Sequence, residues 1–102
     1  MKKIIDGRTY NTDTATLLCS SEYGYPRDFD WYTEDLYRTR KGAYFLYGEG
    51  HASSPYASRC GQHEWGPGDG WKVLTEEEAR DFVEENGSAD EYIEAFGEPA
   101  EA

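Results

Sequence analysis

Leu74-Thr75-Glu76-Glu77-Glu78-Ala79-Arg80-Asp81-Phe82-Val83-Glu84-Glu85-Asn86-Gly87-Ser88-Ala89-Asp90-Glu91-Tyr92-Ile93-Glu94-Ala95-Phe96-Gly97 contains two helix-start signals in succession. Thr75 with Glu78 three residues on forms a capping box, in which each side chain satisfies a backbone N–H of the other residue. Leu74, just before the cap, is placed to staple onto Ala79, and Ala79, Phe82 and Val83 recur at the spacing of one helix face. Gly87 reads as a left-handed stop. Ser88 with Glu91 repeats the box, Ala89, Tyr92, Ile93 and Phe96 are the predicted buried face, and Gly97 with Pro99 ends the segment.

Fixing the inward sides fixes the outward ones. The first helix presents Glu77, Asp81, Glu84 and Glu85, with Glu76 at its N-terminal end; the second presents Asp90, Glu91, Glu94 and Glu98. The whole chain carries a formal charge of −11, beyond the magnitude of roughly 2 to 8 usual for a small domain. Residues 1–42 hold seven acids and seven bases, whereas residues 72–102 hold eleven acids and two bases. Like charges four apart on a helix, such as Glu77 with Asp81 or Asp90 with Glu94, cost a few tenths of a kcal/mol per pair, roughly, with no local return. A solvated, solubilising face is the plain reading of such helices. The sharper one is an acidic decoy that occupies a basic groove on another protein, associating fast and salt-sensitively. Direct binding to nucleic acid, which needs a basic face, is not expected, and neither is an anionic membrane surface.

Upstream, Lys3-Ile4-Ile5-Asp6-Gly7-Arg8-Thr9-Tyr10 predicts a hairpin with Asp6-Gly7 in a tight turn. Thr12 reads as an N-cap, with Asp13 complementing the helix dipole, for a short helix carrying Ala15, Leu18 and Cys19 and ending near Ser21. Tyr23 to Asp30 reads as a loop. Phe29 to Thr39 has strand composition with a bulge or late start at Trp31-Tyr32. Arg40-Lys41-Gly42 is a turn, and Ala43-Tyr44-Phe45-Leu46-Tyr47 is a central strand, apolar on both faces. Gly48 to Gly70 is the least regular stretch, with a short helical turn at Ser54 to Ser58 burying Tyr56; Trp71 to Leu74 is a last short strand. The expected fold is α+β: a small antiparallel sheet of about four or five short strands, one short N-terminal helix and two acidic C-terminal helices. Residues 1–98 form one domain and 99–102 a frayed tail. With nine Tyr, four Phe and three Trp, the core must lean on rings whose polar ends reach the surface.

Few residues suggest chemistry. Cys60-x-x-His63, with His51 and Cys19, supplies half of a zinc-type spacing, or a thiol near a base in a small enzyme; the plain reading is one buried thiol and two surface imidazoles. Asp28, Asp30, Glu34 and Asp35 lack calcium-loop spacing, and Gly48-Glu49-Gly50 lacks the rest of a phosphate loop. No catalytic residues, cofactor or metal are assigned. Only Ile4 and Ile5 separate Met1-Lys2-Lys3 from Asp6, too short an apolar run for a signal peptide, so residence in the cytoplasm is expected. Two cysteines suggest reduced thiols.

Three stretches carry a family resemblance: Lys3 to Thr12, Asp35-Leu36-Tyr37-Arg38-Thr39 through Lys41 to Gly50, and Leu74-Thr75-Glu76-Glu77-Glu78-Ala79. Together they resemble small acidic proteins of plasmids, integrative elements and phages, some of which are similar to anti-CRISPR proteins, inhibitors of type I systems. The resemblance implies no catalytic residues. It implies a protein of the bacterial host's cytoplasm that binds a Cas protein or complex and blocks its access to target DNA; a monomer or weak dimer is expected. An antitoxin or adaptor masking a basic partner is the alternative.

Overall fold

The computed structural model describes residues 1–102. The chain begins as a hairpin of β1 (Lys2–Ile5) and β2 (Arg8–Asn11), in which Ile5 faces Arg8 across the turn. Asp6 and Gly7 have φ of 52° and 74°, the two left-handed positions that a two-residue hairpin turn requires.

The main sheet is antiparallel, in the order β3-β4-β5-β8. Its strands are β3 (Thr16–Tyr23), β4 (Tyr32–Arg38), β5 (Tyr44–Gly50) and β8 (Gly68–Leu74). A two-residue pairing of β6 (Ser58–Arg59) with β7 (Trp65–Gly66) lies in the connection before β8. The helices α1 (Glu76–Asn86) and α2 (Ala89–Phe96) close the chain. No helix is long and apolar enough to cross a membrane.

The expected α+β class and the two C-terminal helices are present, but the N-terminal helix is not. Thr16 to Tyr23 is instead an edge strand paired along its length with β4. The predicted cap is absorbed by a turn: the Asn11 side chain accepts from the Asp13 N–H at 2.9 Å, and the Asn11 carbonyl accepts from the Ala15 N–H at 3.0 Å. Asn and Thr favour such local bonds over helix, and the β-branched Thr16 suits the strand that follows. The sheet's bulge falls between Leu17 and Cys19 of β3, and β4 has the late start, at Tyr32.

Alternation along β5 divides the sheet into two faces. On one, Tyr44 and Leu46 join Cys19, Leu36, Leu74, Ala79 and Val83 in the core beneath the helices. Further along the same face come Gly48 and Gly50, paired across the ladder with Gly70 and Gly68. The missing side chains make room for the 51–66 connection: a Cβ on Gly48 would collide with the Tyr56 ring. Tyr56 is half-buried there, held by turns rather than by a regular helical segment, and its hydroxyl donates to Glu34 of β4. On the opposite face, Phe45 is fully buried among the rings of Tyr10, Tyr37 and Trp71, with centroids 5.5, 5.1 and 5.5 Å away. The N-terminal hairpin thus packs on this second face through Tyr10.

Candidate partner-binding surface

Both capping boxes form. The Glu78 N–H donates to Thr75 at 3.1 Å and the Thr75 N–H to the Glu78 carboxylate at 2.9 Å; Ser88 and Glu91 repeat the pattern at the same distances. Hydrogen bonding by Thr75, its backbone N–H first and then its side chain, holds the Glu78 carboxyl below its usual range. Leu74 and Ala79 are both buried, as the staple requires. Gly87 ends α1 in extended backbone, φ −102°, rather than in the left-handed conformation. What it supplies is closeness: a Cβ there would lie 3.0 Å from Val83 Cγ1 and 3.1 Å from the Cys19 sulfur. The carbonyl of Ala95, near the end of α2, accepts from the Arg38 guanidinium at 2.6 Å, and Phe96 rests 5.8 Å from Tyr44. These contacts tie both helices to the sheet and so fix which sides face away.

The outward carboxylates fall where the helical spacing puts them. Glu76, Glu77, Asp81, Glu84, Glu85, Asp90, Glu94 and Glu98 are all exposed. Two of the nine sequence candidates have local partners. Glu76 is 3.2 Å from Arg80. Glu91 is half-buried and caps the Ser88 N–H, so it belongs to the helix start more than to the open face. Arg80 lies at the seam of the helices, donating to the Tyr92 hydroxyl at 3.1 Å and lying 4.9 Å over the Phe96 ring. The structure's only other ion pair joins the N-terminus to Asp13. Glu77, Asp81, Glu84, Glu85, Asp90 and Glu94 therefore have no cationic partner within the chain.

The predicted buried face of α2 is only half correct. Tyr92 and Phe96 pack on the core, but Ala89 and Ile93 are exposed, Ile93 at 38%. The helix has eight residues and turns about 100° per residue, so Ile93 points well aside from Tyr92. Its apolar surface instead helps line an open groove of about 370 Å³ with Val83, Ala89, Tyr92 and Pro99, beside Glu84. Sequence reading missed this groove because period alone does not separate a residue at the core from one at its rim.

The possible chemical ligands are dispersed. Cys19 is in the core, where burial pushes its thiol up, aided by the charges of Glu91 and Asp35. Cys60 is exposed. His51 lies against the Trp31 ring at 4.8 Å, with Nε2 bonded to the Pro26 carbonyl at 2.8 Å, whereas His63 is exposed. No three His, Cys, Asp or Glu side chains gather into a group able to hold a metal ion.

No protein-family model, curated protein or solved structure matches the chain.

Proposed function

We propose that the chain acts by binding, as an anti-CRISPR inhibitor whose carboxylates occupy the DNA channel of a Cas surveillance complex in place of the nucleic acid backbone. The carrying observation is the set of unpaired, exposed carboxylates on two adjacent helices whose other sides are committed to the core. Acids three or four apart lie about 4.5 to 6 Å apart along a helix axis, which approaches the charge spacing of about 3.4 Å along one DNA strand. A channel built from Lys and Arg to hold phosphate meets the same sign of charge at similar density. The family resemblance supplies the choice of a Cas complex among basic targets. The groove around Ile93, within this acidic surface, gives the partner an apolar contact that screening by salt does not weaken.

The test is a competition assay with a purified type I surveillance complex and labelled target duplex. The wild-type chain is expected to prevent duplex binding. The variant E77Q/D81N/E84Q/D90N/E94Q is expected to lose that inhibition while keeping its fold. Undiminished inhibition by the folded variant would rule out electrostatic mimicry.

A further inference from the structure

At the junction of the N-terminal hairpin and the β4–β5 turn lies a second, chemically opposite site. A pocket of about 720 Å³ is bordered by Arg8, Arg40 and Lys41, with Thr9, Thr14 and Thr39 among its other walls and no carboxylate in its lining. The chain carries −11 overall, and ten Lys and Arg in total. Three of those ten meet here, none of them in an ion pair. The nearby Asp13 is held by the N-terminal ammonium at 3.2 Å, and Asp6 sits exposed in the hairpin turn.

Two turns with tightly set backbones build this convergence. Asp6 and Gly7 place Arg8 at the start of β2. On the other side, the Gly42 N–H bonds the Thr39 carbonyl at 3.0 Å, and the Ala43 N–H bonds the Thr39 hydroxyl oxygen at 3.0 Å. Arg40 and Lys41 therefore sit at the tip of a closed turn. The Thr39 hydroxyl accepts in that bond, which leaves its own proton to donate to a ligand.

We infer that this pocket binds the oligophosphate group of a nucleotide-sized ligand, with Arg8, Arg40 and Lys41 as the charge-bearing contacts. Guanidinium groups match phosphate oxygens in a bidentate fork, and Lys adds a point charge. The volume falls in the range of about 300 to 1,000 Å³ typical of small-ligand sites and exceeds what a single phosphate needs. An extended nucleic acid is disfavoured because the rest of the chain would repel it. The inference is independent of the reading of the helices, since it shares no residue with them.

Titration of isotope-labelled protein with tripolyphosphate, with ATP and with a short single-stranded oligonucleotide, followed by amide NMR, tests it. Saturable shifts at Arg8, Thr9, Arg40 and Lys41 are expected with tripolyphosphate and with ATP. R8Q, R40Q and K41Q should each weaken binding by about tenfold, the loss of one charge-assisted contact. K2Q/K3Q removes two charges, twice that of each single variant, from the neighbouring strand outside the lining, and should still leave affinity within about twofold. All five side chains are exposed, so the variants are expected to fold. Absence of saturable shifts, equal weakening by K2Q/K3Q, or tighter binding of the oligonucleotide than of tripolyphosphate would each overturn the assignment.

Discussion

The carboxylates of the sheet and those of the helices lead different lives. Of the five on the main sheet, three are hydrogen-bonded into the fold: Glu34 accepts from the Tyr56 hydroxyl, Asp69 from the Tyr47 hydroxyl at 2.9 Å, and Glu22 from the Trp31 indole at 2.9 Å, while Asp35 and Glu49 have no such partner. On the helices only the cap residues Glu78 and Glu91, and Glu76 beside Arg80, have comparable partners. Glu77, Asp81, Glu84, Glu85, Asp90 and Glu94 face solvent with neighbours of their own sign. A group bonded into the fold has a structural reason to be acidic. In the row without partners, Glu77 and Asp90 complement the first turns of their helices, but Asp81, Glu84, Glu85 and Glu94 carry mutual repulsion with no such return inside the chain, which directs attention to a partner outside it.

That contrast orders the expected effects of mutation. The reference point is the core: Phe45→Ala removes the ring packed by Tyr10, Tyr37 and Trp71 and should cost about 3 to 5 kcal/mol in urea denaturation. Glu34→Leu leaves the half-buried Tyr56 hydroxyl without its acceptor and should cost about 1 to 3 kcal/mol by the same measurement. Thr75→Ala and Ser88→Ala, which open the capping boxes, should each cost about 1 kcal/mol. At the small end, E77Q/D81N/E84Q/D90N/E94Q should change stability by less than about 0.5 kcal/mol per site, because relief of like-charge pairs offsets the loss of the Glu77 and Asp90 charges that complement their helix N-termini. A quintuple variant less stable than Glu34→Leu would erase the distinction between the two sets.

The sheet's carboxylates also leave a signature in alkali. Burial, then the bond to Asp69, pushes Tyr47 up to about 12. Burial, then the bond to Glu34, raises Tyr56, and burial raises Tyr37. A phenol with a raised folded pKa keeps its proton when the unfolded chain has lost it, so its contribution is complete below the unfolded value of about 10 and declines above it. Stability should therefore fall between pH 10 and the folded value near 12, and Y47F/Y56F should flatten that fall. An identical decline in the double variant would remove these two phenols from the explanation.

What could be read in the sequence was local. The Thr75/Glu78 and Ser88/Glu91 boxes, the Asp6-Gly7 turn and the outward side of α1 depend on residues within a few positions of one another, and each is present. The stretch after Asn11 failed because its cap-like residues serve a turn, and pairing with the distant β4 decides the conformation of Thr16 to Tyr23. Gly48 to Gly70 looked irregular because glycine in a strand reads as a breaker. The usable signal was period two: Gly48 and Gly50 share one face, as do Gly68 and Gly70, and their pairing leaves a bare patch for Tyr56. The basic pocket was hidden for another reason, since Arg8 and the Arg40-Lys41 turn meet only through packing of the hairpin on the sheet.

The affinity of the chain for a purified type I surveillance complex, followed as a function of salt, probes the proposed role of the helix carboxylates most closely. Each ion-paired contact adds to the slope of log affinity against log salt concentration. The wild-type chain should show a steep negative slope, and E77Q/D81N/E84Q/D90N/E94Q a much shallower one with weaker binding at low salt. Equal slopes for the two proteins, or no binding by either, would contradict the idea that these carboxylates are held out for a basic partner.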